Sequence, residues 1–416
     1  TQIHMPSLRS AAPILEGDPA IRVQALWEQL HPDHWPLSIQ DLPAGTVLVG
    51  GAVRDGLLGR LQQQPDLDFI VPNKALEITR SLAKTLGGTC VVLDAERDMA
   101  RLVIKGWTID IAAQEGSNLD EDLWRRDFRL NAIALTLEAT PQLVDPTGGL
   151  SDLEQKKLVA VREQNLLDDP LRLLRGLRLI AELQLSLGKQ TLAWINCHHR
   201  LLPQAAPERI QAELQRIVAA PWADDVLPLL LRSGLLDCWQ NTIERISRPA
   251  PCLKVAKSLK PEEQAVALPL ARLTHLLSNE GLSALRFSRR QCQRCQLLRY
   301  WEERNDGMAF ASLSELDRLQ LHLDLETDLP ALILQLPHIS QVQWLERWRN
   351  ADDPLFHPSP PVDGYALQKT LKLPKGQALG ELLRHLCQEK AFGRVQNRKQ
   401  AFKAATYWWE QKQTLL

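Results

Sequence analysis

Thr46–Pro72 reads TVLVGGAVRDGLLGRLQQQPDLDFIVP, and the fold turns on how this stretch is parsed. TVLVGG is a short apolar run closed by two glycines, the signature of a buried strand running into a tight turn. AVRDGLLGR then has the spacing of a helix start, and PDLDFIVP reads as a second buried strand bounded by prolines. On that second strand Asp66 and Asp68 sit two residues apart. Their carboxylates therefore share one face, while Leu67 and Phe69 point to the other.

The pattern stays mixed on the carboxy-terminal side of this stretch. ALEITRSLAKTLGG reads as a helix ended by glycines, and CVVLD, ARLVIK and TIDIAA read as strands. Lys105-Gly106-Trp107 is placed to turn the last two into a hairpin. RRDFRLNAIAL follows, and LVDPTGGLSDLEQKKL reads as a loop entering a helix. After Pro170 strand signals vanish and helical periods run to the end, with breaks near Pro203, Pro207, Pro249 to Pro251, Pro330, Pro354 and Pro358 to Pro361. On the amino-terminal side, residues 1–20 read as a loose arm, Ile21–His31 as a helix, and Pro36, Pro43 and Gly45 as a punctuated linker.

The expected fold is α+β. A small mixed β-sheet with helices forms an N-terminal head, and an elongated all-α neck, body and tail follow. The boundaries expected are 1–45 for the arm and first helix, 46–140 for the head, 141–225 for the neck, and 226–416 for the body and tail.

Composition bounds the function. The 416 residues, 44% hydrophobic and 24% charged, are those of a packed globular chain of about two to four domains. With 49 Lys and Arg against 50 Asp and Glu, a globally basic nucleic-acid binder is excluded, though a local basic patch is not. From Asp363 to Leu416, ten Lys and Arg face four Asp and Glu, a local excess of +6 that suits phosphate contacts. No membrane span is expected, since the best apolar run, Val226–Leu236, is broken by Arg232. The opening TQIHMPSLRSAAP lacks the apolar core of a signal peptide. Seven scattered cysteines suit a reduced cytoplasmic protein. Cys292 and Cys295 form a CxxC with no second pair at zinc spacing, and His198 and His199 read as ordinary buried or solvated side chains.

The chemistry concentrates in four places. Two carboxylates on one face repel unless a cation intervenes, and an all-oxygen pair favours Mg²⁺. Gly50, Gly51 and Arg54, between a strand and a helix start, offer bare N–H groups and a guanidinium to a phosphate. Asp110, in TIDIAA, is positioned to supply a third carboxylate. From Asp168 on, Asp169 reads as a helix cap with Pro170 in the first turn. Arg172, Arg175 and Arg178 then line one helix face, and Leu171, Leu174 and Leu177 another. An Asp acceptor beside an Arg donor matches the amino and ring-acceptor edge of cytosine, mismatches uracil, and also admits adenine. Alone, each feature has an ordinary reading: a solvated acidic strand face, a tight turn, a charged turn, an arginine stripe paired with Glu182.

LVGGAVRDGLLG with PDLDF, RRDFRLNAIAL, VDPTGGLSDLEQKKL and DDPLRLLRGLRL, in that order over residues 46–220, resemble the motifs of bacterial class II tRNA nucleotidyltransferases. That family includes CCA-adding, CC-adding and A-adding enzymes and related poly(A) polymerases. The resemblance implies Mg²⁺ held by Asp66 and Asp68, with Gly51 and Arg54 on the triphosphate. It also implies Arg126 on the nucleotide, Asp127 on the ribose, and Asn131 within the same motif. Base choice falls to Asp169 and Arg172, with Arg175 and Arg178 nearby. Two departures stand out: Arg129 and Leu130 replace the usual Thr and Ile of RRDFTINA, and Asp168 replaces a usual Glu. PERIQAELQRI, from Pro207 to Ile217, resembles a helix that buttresses the base pocket, although Glu208, Arg209 and Glu213 suit ordinary surface pairs equally well.

The resulting expectation is template-independent addition of C residues (CC) from CTP, with ATP as an alternative nucleotide, to the 3′ end of tRNA. The CC subtype rests on the short span, Gly116 to about Asp120, between the Asp110 strand and RRDF, where the resemblance implies a longer, flexible loop in CCA-adding and A-adding enzymes that re-forms the pocket for ATP. A separate A-adding enzyme then acts as partner. Full CCA-adding or A-adding enzymes, a poly(A) polymerase, and an inactive RNA-binding protein on a transferase head are the alternatives.

Overall fold

The computed structural model describes residues 14–240, 251–305, 309–372 and 376–414. The segment expected to lack a signal peptide, the break at Pro249, and Lys375 of the basic tail lie outside them. The chain divides into two compact units, residues 1–206 with 233–235, and residues 207–232 with 236–416.

In the first unit α1 (Arg22–Leu30) leads to β1 (Val47–Val49), α2 (Gly51–Leu57), β2 (Leu67–Val71) and α3 (Ala75–Leu86). The strands β3 (Thr89–Asp94), β4 (Met99–Ile104) and β5 (Trp107–Ala113) follow, then α4 (Leu119–Leu123), β6 (Ala134–Thr136) and β7 (Leu143–Val144). They form one seven-stranded sheet in the order β3-β4-β5-β2-β1-β6-β7, antiparallel except for the parallel pair β2–β5. The mixed sheet with helices expected for the head is therefore present. Leu67 and Phe69 are buried, as the two-residue period requires. Val47, Val49 and Ile70 pack with Leu123, Ala132, Ala134 and Val161 to close the core beside the sheet. α3 ends at Gly87 in the left-handed conformation. Its first turn is capped from a distance, because Asp98 accepts hydrogen bonds from the Ala75 and Leu76 N–H groups at 2.9 and 2.8 Å.

Three expectations need correction. From Ile14 onward the arm is not loose: Ile14 is buried, and Arg22 donates to Leu15 O and to Glu154 at 3.2 and 3.0 Å. The β4–β5 hairpin turns on Lys105 and Gly106 alone, both at positive φ, and Trp107 already pairs with Ile104. Strands also persist past Pro170: β9 (Ser186–Leu187) pairs in parallel with β8 (Lys157–Leu158), a two-residue ladder too short to leave a pattern in sequence. α5 (Gly149–Glu154) precedes β8, α6 (Glu163–Asp168) and α7 (Leu171–Leu183) lie between the two strands, and α8 (Lys189–His198) follows β9.

Among its described residues the second unit is helical. It runs from α9 (Pro207–Ala219) and α10 (Ala223–Ser233) through α11 (Pro261–Leu276), α12 (Asn279–Ala284), α13 (Arg289–Glu303) and α14 (Glu315–Leu325). The short α15 (Leu329–Ile333), then α16 (His338–Arg349), α17 (Gly364–Leu371), α18 (Gln377–Ala391) and α19 (Arg398–Thr414) complete it. Leu367, Leu382, Leu386, Val395, Ala401 and Ala405 join α17, α18 and α19 in a core of their own. Cys292 and Cys295 lie on α13 as free thiols, Cys295 buried. Among the described residues no helix is long and apolar enough to cross a membrane.

Candidate active site

β1 delivers the chain to Gly50, which adopts φ 75° and ψ −136°, a conformation open to glycine and strained for any side chain. β1 and β2 pair with Val49 opposite Asp68, so the turn lies directly over the acid strand. A Cβ on Gly50 would approach Asp68 Oδ2 to 2.9 Å, and bare backbone is what lets the carboxylate stand there. Asp66 is exposed one residue before β2, while Asp68 is partly sheltered. Burial first, and then the nearby Asp110 and Asp66 charges, push the Asp68 carboxyl up to about 6 against the pull of Arg126 and Arg101.

Asp110 faces Asp68 across the parallel β2–β5 ladder, as a third carboxylate should. Both its oxygens, however, accept from Arg101: Nε to Oδ1 at 2.7 Å and Nη2 to Oδ2 at 2.9 Å. Among the described residues no group of three or more His, Cys, Asp or Glu side chains is placed to hold a metal. Asp66 and Asp68 are then a two-carboxylate set, with Arg126 and Arg101 only partly offsetting the crowding at Asp68. Mg²⁺ is commonly held by one or two carboxylates, its remaining positions filled by water and substrate phosphate, and the pair fits it.

Behind the acids lies a hydrogen-bonded core built on RRDFRLN. Asp127 is buried and accepts from the Phe128 N–H at 2.7 Å, Asn131 Nδ2 at 3.2 Å and Arg175 Nη1 at 3.3 Å. Burial pushes the Asp127 carboxyl up, but Arg175, Arg172, the Phe128 N–H and Asn131 together outweigh it and hold the group below its ordinary value. Asn131 Oδ1 in turn accepts from Arg54 Nη1 at 2.7 Å, and Arg54 grips Asp55 through Nε and Nη2 at 2.8 and 2.9 Å. Arg54 is thus a buried brace for α2, with those three contacts already made. Arg126 lies 3.5 Å from Asp122 and close enough to lower the Asp68 carboxyl.

α7 begins as read. Asp169 Oδ1 accepts from the Leu171 N–H at 3.3 Å, and Asp169 O from the Arg172 N–H at 2.9 Å. Leu171, Leu174 and Leu177 are buried. Arg172 Nη1 donates to Asn165 O and Arg125 O at 2.8 and 3.2 Å. Asn165 Nδ2 donates to Trp124 O and Arg126 O at 2.9 and 2.7 Å, so α7 is laced to the RRDF segment. Arg178 is buried and pairs with Glu182 at 2.9 Å, the ordinary i,i+4 contact its spacing allows. Glu213 of α9 is buried, and Glu208 pairs with Arg286 at 2.8 Å.

Sequence reading missed Asn165, Asp122 and Arg101. The first two carry no pattern. Arg101 does: a two-residue turn at Lys105-Gly106 sets it opposite Asp110, whereas a turn that includes Trp107 shifts the register by one.

The segment from Gln114 to Asn118 joins β5 to α4 and is pinned along its length. Gln114 N–H donates to Val71 O at 2.8 Å, Glu115 N–H to Asp122 at 2.8 Å, and Ser117 N–H to Glu121 at 2.8 Å. Asn118 caps α4 through the Glu121 N–H at 2.9 Å.

Residues 46–159 match the model of the poly A polymerase head domain, and residues 184–243 match that described as a probable RNA and SrmB-binding site of polymerase A. A CC-adding tRNA nucleotidyltransferase of Synechocystis is 31% identical over 400 residues, covering 88% of this chain and 94% of the relative. An A-adding tRNA nucleotidyltransferase of Deinococcus radiodurans is 38% identical over 200 residues, 47% of this chain and 45% of its own. Among solved structures, the Thermotoga maritima CCA-adding enzyme complexed with tRNA has a TM-score of 0.69 at 18% identity, covering 94% of this chain and 97% of that one.

Proposed function

Because the chain belongs to the tRNA nucleotidyltransferase and poly(A) polymerase family, we propose that it is a Mg²⁺-dependent, template-independent enzyme that adds two C residues from CTP to the tRNA 3′ end and releases pyrophosphate. The observation that carries this reading is the Asp66/Asp68 pair set under the bare Gly50 turn, with Asp68 in contact range of Gly50. Asp66 and Asp68 would hold Mg²⁺, which supplies Lewis-acid activation of the RNA 3′-OH and of the triphosphate.

This chain's own residues do the rest. The N–H groups at Gly50 and Gly51 face the triphosphate, and Arg54 braces the turn through Asp55 and Asn131. Arg126 reaches the nucleotide beside Asp68, and Asp127 serves the ribose. Asp169 and Arg172 read the cytosine edge from α7, with Arg175 and Arg178 behind them. In this scheme residues 46–140 are the catalytic head and 141–225 the base-reading neck. Residues 226–416, with the basic excess after Asp363, bind the tRNA body by shape. Seven free cysteines suit the reducing cytoplasm.

The CC subtype is supported by the short, pinned segment Gln114–Asn118, which gives α4 and the base-reading helix little room to re-form the pocket for a purine. A separate A-adding enzyme would complete the end. The pure enzyme is given CTP, ATP and a tRNA ending at its discriminator base. A product that stops after two C residues supports the reading. Efficient terminal A addition makes it a CCA-adding enzyme, and long A tails on arbitrary RNA make it a poly(A) polymerase.

A further inference from the structure

Arg101, Asp110 and Asp68 form one row across three neighbouring strands: Arg101 opposite Asp110 on β4–β5, and Asp110 opposite Asp68 on β5–β2. Residues so paired share a face, and in the antiparallel β4–β5 pair their Cβ atoms lie about 4.5–5.5 Å apart. Without Arg101, this face would carry Asp66, Asp68 and Asp110 together, three acids able to converge on one cation. With it, both Asp110 oxygens are occupied in a two-pronged pair at 2.7 and 2.9 Å. Only a guanidinium makes that pair, since an ammonium is a point charge. Arg101 itself is 41% exposed along its side chain, so its place in the sheet does not depend on burial.

We propose that Arg101 is a positioning residue that withholds Asp110 from the cation site, leaving Asp66 and Asp68 as the only protein ligands. The consequence is a weakly bound, readily exchanged cation whose other positions stay open to water and to the incoming triphosphate. A third free carboxylate would tighten the cation and repel the nucleotide's own charge. The inference rests on Asp66 and Asp68 being the divalent-cation site.

The test uses the full chain and Mn²⁺, with binding followed by electron paramagnetic resonance in the absence of nucleotide. Arg101→Ala is expected to bind Mn²⁺ about tenfold more tightly than the parent. Arg101→Ala/Asp110→Asn should return to the parent's affinity, and Arg101→Lys should fall between. In CTP addition, Arg101→Ala should need less Mg²⁺ for half-maximal rate and show a raised KM for CTP, with kcat less affected. If Arg101→Ala binds Mn²⁺ as the parent does, while Asp66→Asn/Asp68→Asn loses it, the role given to Arg101 is wrong and the cation site stands. Tight binding that survives Asp110→Asn also overturns it. If Asp66→Asn/Asp68→Asn binds like the parent, the cation site itself is misplaced.

Discussion

Gly50 and Asp68 are fitted to each other: a Cβ on the glycine would lie 2.9 Å from Oδ2 of the acid, and the glycine's φ of 75° already excludes most side chains. Gly50→Ala therefore has two costs. Backbone strain of about 1–3 kcal/mol lowers stability, and relief of the contact displaces the carboxylate. A displacement near 1 Å at a reacting centre costs on the order of 10²-fold in rate. Single-turnover CTP addition by Gly50→Ala should fall by at least that much with circular dichroism unchanged. Near-parent activity would mean that Asp68 need not stand where it does.

Asp68→Asn should separate stability from activity. In the parent without divalent cation, Asp68 is sheltered and crowded by Asp110 and Asp66, which disfavours its charge. Replacing it with a neutral amide is expected to stabilise the cation-free protein by about 1–2 kcal/mol while CTP incorporation is lost and tRNA binding kept. Calorimetry in EDTA beside a filter-binding assay checks both, and an active or destabilised variant contradicts the assignment.

What the sequence disclosed follows from which interactions are local. The Gly50–Gly51 turn, the shared face of Asp66 and Asp68, and the buried Leu171, Leu174 and Leu177 are set by periods of two or about three and a half residues, so they were legible. The capping of α3 by Asp98 links positions some twenty residues apart and left no local trace. Arg101 is the instructive miss. Its partner follows from the hairpin register, and a single residue of error in the turn, counting Trp107 into it, hides the pair. Arg54 carries a complementary lesson: a motif suggests a phosphate for it, and only the fold discloses its bonds to Asp55 and Asn131.

Asp127 and Arg172 should fail in different ways. Asp127 is the buried carboxylate that Arg175 and Arg172 face, so Asp127→Ala removes their shared counter-charge and should destabilise the protein by about 3–5 kcal/mol. Arg172→Ala also loses its bonds to Asn165 O and Arg125 O, yet if Arg172 reads the base its main effect is on choice. Discrimination against UTP should weaken by about 1–3 kcal/mol, by analogy with bidentate base readout. Unchanged CTP/UTP preference would move base reading elsewhere.

The second unit carries its own pH dependence. His322 on α14 is buried against Phe356 and Trp344, at ring separations of 4.2 and 5.6 Å. Burial, with Arg347 nearby, lowers its pKa to about 3. In the native state the ring stays neutral, while the unfolded chain takes up a proton below its ordinary value of 6.5. Stability from this group is therefore complete above pH 6.5 and is lost toward pH 3, at up to about 1.4 kcal/mol per pH unit. Urea unfolding at pH 7.5 and pH 4.5 should show the parent losing roughly 2–3 kcal/mol more than His322→Leu over that interval. Equal losses would show that His322 is protonated without penalty.

If addition stops at two C residues, the stiffness of the segment before α4 is the cause. Gly116 sits at φ 89°, where a Cβ would strike the Glu121 carboxylate at 2.6 Å, and Glu121 takes the Ser117 N–H at 2.8 Å. The same segment leads through α4 to Arg125, whose carbonyl holds Arg172. A pocket that must enlarge for ATP would have to move Arg172, and that movement pulls on a short span held at both ends. In the parent, amide exchange at Glu115 and Ser117 should be slow and equally so with CTP or ATP present. Glu121→Ala removes the acceptor for Ser117 and should raise its exchange about tenfold or more, because the amide then opens without breaking that bond. The same variant should begin to place A on a tRNA already ending in CC, at a rate still below C addition. Faster exchange with no A incorporation would mean that this segment's stiffness is not what confines the pocket to a pyrimidine.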